Sequence, residues 1–435
     1  MVKRLIRKYI KGNEVFTRFV KVFSVDFLVR GGNFLLIPIF LRIMSPEEYG
    51  LYGYLYSFAI TMSGIFGFGF YVSLTKLHAD TLESKTERGS MLYTLSTALF
   101  VLLISSLLIV YAFGIDKEFF TFLNKTTADI NAREYTIYRT YVFVAIIAMT
   151  ISNFLTFYLV SSEKIRGLQT FNLSRFILSN LIAILIIYFS KGDAVFQRLS
   201  ITYSIELALV IAFLIGLRKN LYRKFSRYYL TKAFKIGLPI MVSAIMYAVI
   251  NFGDKFFVVK YSGEKGMSIY YLAFLLATIV LIIYQSFNFI WNPLFMKEKD
   301  LVVLRRKTNR YIILLGTSFT LIGAAIWLGS LIALNTGIIP KDYGAILEIL
   351  PLLILSQIFA ALSLLMINFM TYFEKTYIQV FVGAGLSIIG YYMFDTMGKH
   401  FGLIGISIIM IILNLTQFIF FYFRSQYYIN NRLRG

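Results

Sequence analysis

The sequence predicts an all-α polytopic membrane protein, with about twelve transmembrane helices in two six-helix lobes and both termini cytoplasmic. Three observations lead there. The 435 residues are 58% hydrophobic and 15% charged, against roughly 45–50% and 25% in soluble domains. A single soluble core stops growing near ~250–300 residues, so the surplus apolar mass must face lipid. The apolar residues fall into twelve stretches, and a ~30 Å hydrocarbon core needs about 20 residues per helix. Lys and Arg are shared unevenly between alternate connections, which sets orientation.

In chain order the predicted spans are 19–43, 50–73, 91–113, 136–160, 170–190, 199–217, 236–259, 269–295, 311–334, 346–370, 377–397 and 403–423. The first is too long for a signal-peptide core, carries Asp26 and Arg30, and has no small-residue cleavage site after it, so it is expected to be retained. Residues 1–18 ahead of it are basic, with Leu5, Ile6, Tyr9 and Ile10 on one side. They read either as an amphipathic surface helix or as a topology signal. Ser45-Pro46-Glu47-Glu48 supplies an N-cap, a Pro at the first helical position and a Glu three residues after the cap, a strong start for span two.

With the N-terminus inside, the cytoplasmic connections hold 29 Lys and Arg and the outside ones 10. The densest is the linker 218–235, with Arg218, Lys219, Arg223, Lys224 and Arg227. The expected organisation is a basic segment 1–18, an N-lobe 19–217, the linker, a C-lobe 236–423 and a tail 424–435. This placement accounts for the net charge of +21 through topology and anionic headgroups, so no nucleic acid is expected as partner. The connection 114–135, about 22 residues, is the longest outside one, which leaves no room for a soluble domain.

The second half echoes the first. Residues 50–58 (GLYGYLYSF) and 268–274 (SIYYLAF) each open a span after a short outside turn, 218 positions apart. The same offset relates spans one and seven, and spans three and nine. Two halves of like orientation imply an axis along the membrane normal. Catalysis is not expected. There is no Cys, His78 and His400 lie far apart, and neither a G-x-x-x-x-G-K-[S/T] loop nor a D-x-D is present. No cofactor and no metal site are therefore expected.

Charged groups inside a span cost at least ~2.5–3.5 kcal/mol on insertion scales, so they face protein or a wet cavity. Asp26, Arg30 and Asn33 share one stripe of span one, with Arg30 near mid-depth. Span seven carries Ser243, Tyr247, Asn251 and Lys255 at spacing four, with Asp254 alongside. Span eight adds Gln285, Asn288 and Asn292; span five adds Gln169, Asn172 and Arg175. These polar faces suit two halves that enclose a cavity. Asp26 and Arg30 can instead neutralise each other as a fold-holding pair. Lys255 and Arg175 could snorkel to headgroups. Glu206 in span six can carry a proton or stay a neutral hydrogen-bonded acid. Asp395 and Arg139 lie near span ends and read as interfacial. The glycines of spans two and eleven and Pro38, Pro239, Pro293 and Pro351 read as packing or hinge positions. The Tyr and Phe residues read as interfacial belts and lipid-facing bulk.

Residues 37–58 (IPIFLRIMSPEEYGLYGYLYSF) and 236–274 (IGLPIMVSAIMYAVINFGDKFFVVKYSGEKGMSIYYLAF) resemble the opening hairpins of the two halves of the polysaccharide-transport family, the Wzx-type O-antigen and capsule repeat-unit flippases. Residues 340–359 (PKDYGAILEILPLLILSQIF) and 401–407 (FGLIGIS) match that family's later spans. Ser268 departs from it, where Gly is frequent. The resemblance implies the MOP superfamily fold, MATE-like, with two lobes in a V. It also implies transfer of an undecaprenyl-diphosphate-linked oligosaccharide across the bacterial cytoplasmic (inner) membrane. Polysaccharide polymerase or chain-length machinery would be a downstream partner. On that reading Arg30, Asn33, Arg175, Asn251, Lys255 and Asn288 are the candidate substrate-binding residues, and Asp26, Glu206 and Asp254 the candidates for ion or proton coupling. The driving force would be an ion or proton gradient, the membrane potential or downstream consumption.

Four rival readings share some of these features. A MATE-like drug or metabolite antiporter would keep isolated acids, whereas Asp26 has Arg30 beside it. A lipid II-type flippase usually carries fourteen spans. A membrane polymerase would want a larger outside loop, and an acyltransferase a membrane-facing His.

Overall fold

The computed structural model describes residues 32, 34–81, 83–118, 132–190, 192–218 and 221–434. Among them there are helices and turns but no strand. In chain order the helices are α1 (Phe34–Ile43), α2 (Pro46–Phe66), α3 (Phe70–Asp80), α4 (Lys85–Phe113), α5 (Ala132–Ser161), α6 (Ile165–Ser190), α7 (Ala194–Leu217), α8 (Arg227–Ala277), α9 (Ile279–Lys297), α10 (Leu301–Asn335), α11 (Ile346–Tyr372) and α12 (Tyr377–Arg434). Eight helices of the described residues are long and apolar enough to cross a membrane, and the bent pair α2–α3 makes a ninth.

Local chemistry sets many of these boundaries. Ser45 and Glu48 form the capping box read from the sequence, each backbone N–H donating to the other's side chain. Glu48 Oε1 also accepts from the Ala194 N–H at 3.4 Å, so one carboxylate serves the starts of both α2 and α7. Ser84, Asp193 and Asp300 cap α4, α7 and α10. Span two departs from the straight rod expected over 50–73. It begins at Pro46 and bends by 48° between Phe66 and Phe70. Phe68 and Gly69 have φ of 50° and 65° there, and a Cβ on Gly69 would run into the backbone of Gly237.

Two helices are far longer than a bilayer needs, and each folds back on itself. Tyr270 donates to Asp254 at 2.8 Å although 16 residues separate them, a rise of about 24 Å in an unbroken helix. The reversal is at Gly263, whose φ of 65° and ψ of −170° break α8 into antiparallel arms. In α12 the break is Gly402, and a Cβ on Gly390 would lie 3.0 Å from Leu413. The Gly263 turn lies 218 positions after Ser45, the offset that relates the two halves of the sequence.

The chain then runs up and down between two ends. At one, here the Gly263 end, Arg42 donates to the Gly337 carbonyl and Tyr138 to Asp193. At the other, the linker end, Ser90 donates to the Lys224 carbonyl and Tyr372 to that of Glu298. Helices α2–α7 pack among themselves, as do α8–α12, and the two groups meet mainly where α2 and α3 lie on α8. One apolar core runs from α2, α5 and α7 into α8–α12. A smaller one fills the linker end between α3, α4, α5 and α6, reaching Ala233 of α8. Outward faces are apolar too, with Leu108, Leu181, Ile313 and Phe381 exposed. Such surfaces need lipid as their solvent. The chain is a multi-pass membrane protein.

Candidate functional site

The first sequence-predicted group that the structure brings together is Arg175 with Glu206. Arg175 is ten residues into α6 from the linker end, and Glu206 twelve into α7 from the Gly263 end. At 1.5 Å per residue both stand about 15–18 Å deep, close to mid-depth. Arg175 Nη1 lies 3.0 Å from Glu206 Oε1, and the Arg175 side chain stays 33% exposed while that of Glu206 is 7% exposed. Because α6 begins at Ile165, Arg175 is further from the linker end than the expected span start at 170 implied. Asn172 and Ser179 flank Arg175 on one face of α6, and Asn172 Oδ1 and Ser179 Oγ have no hydrogen-bond partner among the described residues. Gly32 abuts the ring of Phe176, the neighbour of Arg175 on α6. Asp26, Arg30 and Asn33 themselves lie outside the described residues.

Above the pair, toward the Gly263 end, tyrosines replace charge. Tyr52 and Tyr56 of α2 stack with centroids 6.0 Å apart, and Tyr56 meets Tyr271 of α8 at 6.3 Å. Tyr203, one turn from Glu206, is buried. Arg198 lies against this group. Its guanidinium carbon is 3.6 Å from the Phe40 centroid and 3.8 Å from that of Tyr52. Tyr49 then meets Tyr271 at 5.6 Å and Tyr343 at 6.4 Å. Gly50 presses on the Glu264 backbone, and a Cβ on Gly53 would fall 2.5 Å from the Tyr271 ring. Small residues thus let α2 close on α8 at this end.

The second group is Asp254 with Lys255. Lys255 does not snorkel. Its ammonium lies 2.7 Å from Asp254 Oδ2 and 3.7 Å from the Phe274 centroid, and both side chains are almost fully buried. Tyr270 donates to the same Asp254 oxygen at 2.8 Å, tying the two arms of α8 together. Asn288 of α9 accepts from Asn368 of α11 at 3.1 Å. Near it Tyr284 Oη, Trp291 Nε1 and Asn292 Oδ1 are buried without a partner among the described residues. Asn251 lies on α8, and its side chain is outside the described residues. Arg139, near the Gly263 end of α5, is buried with Nε 2.6 Å from Asp116, while half-exposed Asp395 meets Lys260 at 2.6 Å.

Sequence reasoning missed the role of Arg198 and of the tyrosines. Arg198 falls one residue ahead of the span expected over 199–217, but the Asp193 cap starts α7 five residues earlier than that span, and Asp193-Ala-Val-Phe carries the signal. The tyrosines read as belts because a ring facing lipid and a ring facing another helix look alike in sequence.

Comparison with known proteins fits this architecture. Residues 20–298 match the family described as "Polysaccharide biosynthesis protein". Comparison with curated protein sequences returns no match. Among solved structures, an inward-facing multidrug resistance MATE transporter of the MOP superfamily superposes with a TM-score of 0.71 at 13% identity, over 99% of each chain. The outward-facing conformation of such a transporter gives 0.59 at 14%, over 96% of each chain. The lipid II flippase MurJ, inward closed, gives 0.64 at 15%, over 93% of this chain and 87% of that one. These identities carry the fold alone. The chain belongs to the polysaccharide biosynthesis protein family, that of the Wzx-type flippases its segments resemble, and it has the MOP superfamily fold.

Proposed function

We propose that the protein moves undecaprenyl-diphosphate-linked oligosaccharide repeat units from the inner to the outer leaflet of the bacterial cytoplasmic membrane, by alternating access of two six-helix lobes. The arrangement is twelve spans with both termini cytoplasmic, an N-lobe over 19–217 and a C-lobe over 236–423, so the Gly263 end faces outward. The observation that carries the reading is Arg175, a guanidinium at mid-depth, 33% exposed, which among the described residues meets one carboxylate, through one of its nitrogens. A diphosphate needs such donors where water is scarce. Asn172 and Ser179 beside it, whose oxygens have no partner among the described residues, suit a hydrated or sugar-bearing ligand. Arg30, Asn33, Asn251, Lys255 and Asn288 remain candidates for the same cavity, and Asp26, Glu206 and Asp254 for coupling to an ion or proton gradient. The polyprenyl tail would stay in lipid, and a polymerase or chain-length machinery would take up the unit outside.

A multidrug antiporter on this fold would want an acid free to take a cation. Glu206 is held by Arg175 instead, which favours an anionic substrate. The experiment is deletion followed by complementation with Arg175→Ala. Deletion is expected to strand lipid-linked units on the cytoplasmic face, and the variant to be present in the membrane yet fail to rescue. Units that reach the outside but stay unpolymerised would point to an enzyme, and raised drug sensitivity with normal surface glycan to an antiporter.

A further inference from the structure

Arg198 is a charged group beside the lobe interface, against Tyr49, for which the proposed function has no use. It stands five residues after Asp193, which caps α7, and it is half-buried. Its guanidinium rests against Phe40 and Tyr52, at 3.6 and 3.8 Å, and the Tyr49 centroid is 5.7 Å away. Its Nη1 donates to Met44 Sδ at 3.4 Å, a weak acceptor. Among the described residues no carboxylate pairs with it. Rings on the faces of a planar cation leave its N–H edges open, the geometry that takes two oxygens of a phosphate. A half-buried cation without a counter-ion is costly, so an anion supplied from elsewhere would relieve it.

Its position in the molecule gives that anion a role. Glu206, the partner of Arg175, is eight residues further along α7, a rise of about 12 Å. Tyr203 stands between the two along α7, and Tyr56 stacks on Tyr52, the ring that lies against Arg198. Tyr49 belongs both to the surroundings of Arg198 and to the contact with Tyr271 and Tyr343 that closes the Gly263 end.

We propose that Arg198 is a second oxyanion station, which receives the lipid diphosphate from Arg175 and holds it beneath the tyrosines until the Gly263 end opens. The inference rests on the flippase reading and adds to it an ordered path along α7. Reopening at Tyr49 would then loosen the cage around Arg198 as the headgroup leaves.

The test uses the full chain in lipid nanodiscs and proteoliposomes, with fluorescently tagged undecaprenyl diphosphate as probe. Transfer is followed by accessibility to a membrane-impermeant quencher. Arg198→Gln is expected to slow transfer about tenfold or more, the worth of one charge-assisted contact, while initial binding stays within about threefold because Arg175 is intact. Arg198→Lys keeps a cation on the rings but loses the fork, so it too should transfer slowly at an unchanged thermal midpoint. It decides the matter if the Gln variant does not fold. Wild-type transfer in the Lys variant, or in a folded Gln variant, overturns the station and leaves the flippase reading standing. Failure of the wild-type protein to bind or transfer the probe overturns both.

Discussion

Gly50 of α2 and Glu264 of α8 meet backbone to backbone, so closely that a Cβ on Gly50 would run into the Glu264 carbonyl oxygen. Three residues on, Gly53 makes room for the Tyr271 ring. The two glycines lie on one face of α2, and that face shuts the Gly263 end against the start of the return arm of α8.

Gly50→Val should therefore hold this end apart. Spin labels on exposed Glu47 and Lys341, either side of the contact, should report a longer distance than in the wild type. Transport should fall about tenfold or more, since overfilling a tight contact costs roughly 1–3 kcal/mol. An unchanged distance distribution would show that the contact does not set the closed state.

Asp254 and Lys255 predict a stability effect. Their side chains are 0% and 2% exposed and hold each other at 2.7 Å. Asp254→Ala would strand a buried ammonium, at a cost of about 3–5 kcal/mol. Asp254→Leu combined with Lys255→Met should recover most of the loss, because an apolar pair carries no desolvation cost. Thermal unfolding in detergent checks both. A single variant as stable as the wild type would mean that water reaches the pair.

Gly263 and Gly385 both have open space where a Cβ would go, but their backbones differ. Gly385 is helical, so Gly385→Ala should be neutral or stabilising by up to about 1 kcal/mol. Gly263, at φ 65° and ψ −170°, occupies a region essentially reserved for glycine. Gly263→Ala should cost about 1–3 kcal/mol and loosen the hairpin. Comparing the two thermal midpoints separates backbone strain from loss of packing. Equal midpoints would remove the strain argument.

What the sequence revealed follows from the range of its signals. Local chemistry was legible: the Ser45 cap, the reversal near Gly263 and the apolar length of each rod all depend on neighbours within a few residues. Partners from different helices were not. Arg175 and Glu206 are 31 positions apart, and helical periodicity places each on a face without saying which helix that face meets. Lys255 was open to a snorkelling reading because its depth alone allowed it. Only the return arm of α8, which lays Tyr270 and Phe274 over the pair, shows why the ammonium turns inward. Arg198 was hidden by a boundary error of five residues, enough to move a cation from a solvated turn to an aromatic cage.

The Arg175–Glu206 pair offers a way to tell a staple from a binding group. If the 3.0 Å contact serves only to join α6 to α7, then exchanging the residues, Arg175→Glu with Glu206→Arg, should restore both stability and transport lost in the single variants. If Arg175 also meets the substrate, the exchange should restore stability alone. The guanidinium would then stand on α7, away from Asn172 and Ser179, and a carboxylate would face the diphosphate in its place. We expect the second pattern: a thermal midpoint near that of the wild type, with repeat-unit export still reduced about tenfold or more. Measuring both in the same membranes settles it, since a misfolded exchange variant would lose the midpoint as well. Full export by the exchanged pair would confine Arg175 to holding two helices together.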